Sequence, residues 1–163
     1  MNGLDQMDKK KLFCFGIGKV AFQLSLKLLS QGWTVYGTCR EEERKKFLEN
    51  KGFKVKEFFP NGSIPEISNE LNNSSHVLIS IPPDDKGCLA IRWYQKEIGN
   101  LANQTWLGYI SSTSVYGHHG KKWVDELTKP ITKTQMGKNR LLAEKQWKTI
   151  SKINSLNLQI FRF

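Results

Sequence analysis

The sequence predicts a doubly wound, parallel α/β sheet, and three observations carry that expectation. Apolar runs alternate with amphipathic stretches along the chain at a regular pace. The runs are nearly continuous in apolar residues, as strands covered by helices on both faces require. A glycine pattern joins the first run to the first helix. No self-similar period, linker or low-complexity segment interrupts the order, so the 163 residues read as one domain with a real core. Residues 1–10 form an N-terminal extension and residues 11–163 the α/β unit.

The first strand is LFCFG (12–16). The helix after it, KVAFQLSLKLLSQG, repeats apolar residues at helical spacing through Val20, Leu24 and Leu28, and Gly32 supplies a stop. WTVYGTC (33–39) is the second strand, and EEERKKFLENKG is a helix with acids in its first turn, where they oppose the helix dipole. FKVKEFF is the third strand, ended by PNG; IPEISNELNN is a short helix. HVLISIPP (76–83) is the fourth strand, closed by two prolines. GCLAIRWYQKEIGNL is the next helix and TWLGYISS (105–112) the fifth strand. A loop from Val115 to Pro130 carries Gly, His and Lys. A helix from about Thr132 to Ile150 leads to a last strand, NLQIFRF, which should be buried on both faces.

The net charge is +10, from 25 Lys and Arg against 15 Asp and Glu. Its basic clusters, Lys9–Lys11, Arg44–Lys46 and Lys121–Lys122, fall in different elements and no nucleic-acid motif accompanies them. This excess therefore reads as a lysine-rich solvated surface, with no nucleic-acid partner. No apolar run approaches a membrane span, and the apolar run after the N-terminal lysines is broken by Gly16 and Gly18, unlike a signal peptide. Cys14, Cys39 and Cys88 form no CxxC pair and are odd in number, which reads as reduced thiols in the cytoplasm. His118 and His119 are adjacent and have no acid–cysteine constellation near them, so no metal site is expected.

Gly16-Ile17-Gly18-Lys19-Val20-Ala21 has the G-x-G-x-x-A form of a dinucleotide turn. Gly16 permits the tight turn, Gly18 lets the backbone approach a pyrophosphate, and Ala21 lets the helix pack close to the sheet. The start of the helix then offers free N–H groups to phosphate oxygens. About twenty residues on, where an acid would bind the adenosine ribose of NAD, stand Gly37, Thr38, Cys39 and Arg40, with no acid before Glu41. Arg40 can pair with a 2′-phosphate, with Thr38 as a supporting donor. The pattern favours NADP, with NAD as the alternative.

The glycine turn, SIPPDDKG and YISSTSVYG together resemble the short-chain dehydrogenase/reductase superfamily, in its extended, NAD-dependent epimerase/dehydratase branch. The resemblance extends through Gly120, Trp123-Val124-Asp125-Glu126, Pro130 and Gly137-Lys-Asn-Arg140-Leu-Leu-Ala-Glu144, from about Lys11 onward. It implies a Rossmann-like NAD(P)-binding domain, with Ile81 and Pro82 at the end of the fourth strand beside the cofactor. It also implies a hydroxyl donor at Ser112, with Thr113 as a neighbour able to substitute, acting on a reacting carbonyl or hydroxyl. The family's acid/base tyrosine and ribose-holding lysine sit four apart on the following helix. Counting back from Glu144 puts Met136 and Arg140 in those places. Methionine carries no proton; arginine can bind a ribose hydroxyl but stays charged. No tyrosine occurs after Gly117, so no shift of register restores the pair. Tyr116 and Lys138 are weaker substitutes.

Extended members carry a substrate lobe after the last strand read here, so the resemblance implies the cofactor half of a longer protein, its substrate lobe lacking. The expected activity is that of an oxidoreductase or sugar-nucleotide epimerase with a degraded Tyr/Lys pair, acting on an unidentified small molecule. The competing expectation is a non-catalytic NADP-binding sensor. Exposed apolar strand surface would also favour self-association.

Overall fold

The computed structural model describes residues 10–59 and 62–163. The N-terminal extension, apart from Lys10, and the first two residues of the PNG turn lie outside the described residues. Six strands alternate with five α-helices: β1 (Lys11–Phe15), α1 (Lys19–Ser30), β2 (Thr34–Cys39), α2 (Glu42–Glu49), β3 (Lys54–Glu57), α3 (Pro65–Asn72), β4 (His76–Ile79), α4 (Leu89–Gly99), β5 (Trp106–Ser111), α5 (Gln135–Asn154) and β6 (Asn157–Arg162). A 3-10 turn, Thr113–Val115, follows β5.

All strands are parallel, in the order β3-β2-β1-β4-β5-β6. The chain winds one way from β1 through β2 to β3, then crosses back to β4 on the other side of β1. The C-terminal ends of β1 and β4 therefore flank a switch point, where open α/β sheets place ligands. Side chains alternate along each strand, which splits the core in two. Leu12 and Cys14 join Ala21 of α1, Leu48 of α2, Val35 and Val55 on one face. Phe13 and Phe15 face the other way, against Ile67 and Leu71 of α3, Tyr94 and Ile98 of α4, and Ala143 and Trp147 of α5. This is the doubly wound sheet that the alternating runs predict.

Local chemistry moved several ends. β4 stops at Ile79, four residues short of the expected strand, because Ser80 and Ile81 both turn their N–H groups onto Phe15 O, at 2.8 and 3.0 Å. That curl carries Ile81 over the first glycine of the turn. α5 starts at Gln135, where the Thr134 hydroxyl accepts from Gly137 N, and runs on to Asn154. It ends without glycine: Ser155 takes the left-handed conformation (φ 53°) while Leu156 N bonds Ser151 O.

The last strand corrects the sequence expectation. β6 is buried on neither face. Leu158, Ile160 and Arg162 are half-covered by α5, while Asn157, Gln159 and Phe161 on the α1 side are exposed. No helix among the described residues covers that side. An apolar groove of about 500 Å³ opens there between Val20, Leu24, Trp33, Trp106, Phe161 and Phe163. All three cysteines are free, with Cys14 and Cys88 buried. No described helix is long and apolar enough to cross a membrane, and no metal-binding group of His, Cys, Asp or Glu occurs among the described residues.

Candidate active site

The glycine turn forms as its spacing requires. Gly16 has φ +80°, which L side chains rarely adopt, and a Cβ there would lie 2.6 Å from Ile81 Cγ2. Its N–H donates to Thr38 Oγ1 at 2.8 Å. Thr38 is buried; by accepting this bond it locks the β1–α1 connection to β2 and keeps its own O–H as a donor. Gly18 caps α1 with no side chain bonded to the helix start, and the first turn carries no acid. The first helical bond is Phe22 N to Gly18 O. The N–H groups of Lys19, Val20 and Ala21 therefore have no carbonyl partner within the helix, which is the arrangement that receives a pyrophosphate.

In front of this helix start lies a cleft of about 240 Å³. Gly16, Ile17, Gly18, Thr38, Arg40, Ile81 and Pro82 line it together. Lys19 and Val20 stand beside it with exposed side chains, so what they offer is backbone N–H. Arg40 is exposed at the β2 end of the cleft, where an adenosine ribose would lie. The structure adds Cys39, Phe58, Ser80 and Leu89 to the lining. Phe58 and Leu89 come from the ends of β3 and the start of α4. Only the sheet order brings them near the glycines, which are far away in sequence.

Arg44 supports the same turn from α2. Its Nη2 donates to Ile17 O at 3.3 Å, and its guanidinium lies over the rings of Phe22 and Phe47 at 5.2 and 4.9 Å. It reads in the sequence only as one of a run of charges.

The serine turn occupies the same, C-terminal edge of the sheet at the end of β5. Ser112 Oγ accepts from Ser114 N at 3.1 Å and caps the 3-10 turn. That bond uses an acceptor lone pair and leaves the Ser112 O–H to donate outward. Thr113 is exposed and lines a second groove of about 670 Å³ with Tyr116, Glu144, Lys148, Arg162 and Phe163. The cofactor cleft and the serine turn are thus separate linings on one edge.

Helix α5 is pressed against the serine turn at Gly137, where a Cβ would meet Thr132 Oγ1 and sit 2.7 Å from Ser114 O. This contact fixes where Met136 and Arg140 stand. Met136 is 63% exposed beside the turn. Arg140, one helical turn on, directs Nη1 to Ile110 O at 2.7 Å, so part of its fork braces β5. Tyr109, beneath it, is a poor substitute acid, since burial pushes its hydroxyl up to about 12 against the opposing Arg140 charge. Tyr116 is buried and its hydroxyl accepts from Arg162 Nη1 at 2.9 Å; Lys138 is exposed. His119 bonds Tyr116 O and His118 faces solvent.

A functionally unknown conserved protein from Silicibacter pomeroyi DSS is 34% identical over 94% of this chain and 52% of its own, with a TM-score of 0.81. The UDP-N-acetylglucosamine 4-epimerase from Bacillus cereus is 17% identical over 94% of this chain and 53% of its own, with a TM-score of 0.71. A short-chain dehydrogenase/reductase superfamily protein from Agrobacterium tumefaciens, solved with bound NAD, gives 17% identity, 94% and 48% coverage and a TM-score of 0.66. The chain has the short-chain dehydrogenase/reductase, epimerase-like fold. It spans about half the length of these structures. No family sequence model and no curated protein sequence matches it.

Proposed function

We propose that residues 11–163 are the nicotinamide-dinucleotide-binding half of an epimerase/dehydratase-type oxidoreductase, acting in the cytoplasm on a small-molecule substrate. The observation that carries this reading is the cleft in front of α1, where the glycine turn, unpaired helix N–H groups and Arg40 converge on one lining. Neighbours of the same fold support it: the A. tumefaciens protein and a B. cereus UDP-glucuronic acid 4-epimerase were solved with NAD. In this chain the residues fit a dinucleotide. Backbone N–H groups of α1 would hold its pyrophosphate, and Arg40 would face the adenosine 2′ position. The bound cofactor would supply hydride chemistry, and Ser112 would donate a hydrogen bond to the reacting oxygen.

We assign NADP rather than NAD, because the β2 end offers the cleft a cation and no acid. A charge-assisted contact of about 1.5–3 kcal/mol gives NADPH a roughly ten- to hundredfold tighter fit than NADH. Calorimetric titration of both cofactors measures this directly, and Arg40→Ala should erase the difference. Equal affinities in the parent would defeat the assignment.

A second reading, a non-catalytic NADP sensor, is supported by Met136, exposed at the position that counting back from Glu144 gives to the family's acid. Turnover of NADPH by the full-length protein, over a panel of sugar nucleotides and small carbonyls, separates enzyme from sensor.

The open groove beside β6 supports self-association of the 163-residue chain. Phe161 and Phe163 are exposed on an edge strand, next to Val20 and Leu24, and unpaired apolar edges associate. Light scattering should report oligomers or aggregates, whereas a longer version that buries these side chains should be monodisperse. A stable monomer of the short chain would count against this.

A further inference from the structure

We propose that Glu144 and Arg162 are positioning residues that set the Ser112 turn from behind, through contacts to the residues on both sides of the serine. This rests on the reading of Ser112 as the hydroxyl donor and deepens it. Ser111, immediately before the serine, donates Oγ to Glu144 Oε1 at 2.6 Å. Arg162 closes a two-pronged bond on the same carboxylate, Nε to Oε1 at 2.9 Å and Nη2 to Oε2 at 2.7 Å. Its remaining prong, Nη1, donates to the Tyr116 hydroxyl, and the guanidinium lies 4.9 Å from that ring's centre. Thr113, immediately after the serine, donates its N–H to Phe163 O at 2.9 Å, from the residue following Arg162.

Three residues around Ser112 (111, 113 and 116) are thus held by one α5 carboxylate and the end of β6, while among the described residues Ser112 itself is bonded within its own turn. The register makes this possible, since Arg162 lies directly opposite Ser111. Glu144 is 2% exposed. Burial alone would raise its carboxyl, but the bonds from Arg162 and Ser111 outweigh burial and hold it below the usual carboxylate range. The carboxylate is therefore a charged anchor whose three bonds fix direction as well as distance. A fork that is planar and two-pronged gives this; a lysine at the same place would keep the charge and lose the geometry.

The alternative is an ion pair that only holds β6 to α5. The two differ in where disorder appears. Arg162→Lys and Glu144→Gln are the informative variants, because each keeps part of the hydrogen bonding, and Arg162→Lys also keeps the charge pair. In the full-length protein, amide hydrogen exchange over residues 111–117 should quicken by about tenfold or more, with the 16–21 turn and cofactor affinity unchanged. Where turnover is measurable, kcat should fall by about a hundredfold, as small misplacements of a reacting group do, with KM little changed. That loss should vanish in a Ser112→Ala background, since the couple acts through the serine. Exchange that quickens evenly through α5 and β6, or stays unchanged at 111–117, would overturn the proposal. So would an equal loss of turnover with and without Ser112. An inactive parent would refute the enzyme reading alone, since the exchange measurement tests the positioning role without turnover.

Discussion

Installing tyrosine at 136 and lysine at 140 in the full-length protein should raise carbonyl reduction by about a hundred- to ten-thousandfold, the usual contribution of a placed general acid. Met136 is exposed on the first turn of α5, beside the serine turn, so a phenol there meets no packing obstacle. Arg140 lies one turn along the same helix, and its Nη1 bond to Ile110 O shows that a cation at this site is already held against β5. A lysine would keep the charge and also lower the tyrosine's pKa by proximity. The rate profile should gain a titration that the parent lacks. Met136→Tyr alone should give a smaller gain. A parent that already turns over fast, with Ser112→Ala harmless and Met136→Tyr without effect, would put the chemistry elsewhere.

Gly137→Ala should destabilise the protein by about 1–3 kcal/mol, against the direction that helix propensity gives. Gly137 lies in α5, and alanine is better there by about 0.8–1 kcal/mol in a free helix. Here the added methyl would sit 2.7 Å from the backbone oxygen of Ser114 and against the Thr132 side chain. The oxygen belongs to the serine turn and cannot rotate aside, so overpacking wins over propensity. Urea unfolding gives the sign. Because the clash pushes α5 from the serine turn, any Ser112-dependent turnover should drop as well, while dinucleotide binding at the glycine turn should hold. A stabilised variant would show that the turn yields easily and that α5 is not set by this contact.

Much of this molecule is local, and what is local was legible. Near-continuous apolar runs such as Leu12–Phe15, closed by glycine and proline, announce strands buried in a parallel sheet because their two faces meet two layers of helix. The G-x-G-x-x-A turn announces its own geometry, since L side chains rarely adopt Gly16's φ. Seven of the nine residues expected at the cofactor line one cleft, all set by short stretches at strand ends. Ser112 sits in its turn by a bond to a residue two places away.

What the sequence left open is what depends on which strands become neighbours. Thr38 gains the task of bracing the glycine turn only when β2 lies beside β1 and its oxygen accepts from the Gly16 N–H. Phe58 and Leu89 join the cleft, and Arg44 grips Ile17, only because strand order folds distant segments onto the switch point. β6 reads as doubly buried because apolar content reports what a strand can bury and not what covers it. Glu144 reads in the sequence only as the end of a motif and Arg162 as an ordinary charge, until the β5–β6 register sets Arg162 opposite Ser111. The sequence by itself determined the elements and the turn, because periodicity and backbone freedom act over a few residues. The tertiary structure alone decided the partners of the buried polar groups, because a hydrogen bond between strands is fixed by register and no pattern along one strand records its neighbour.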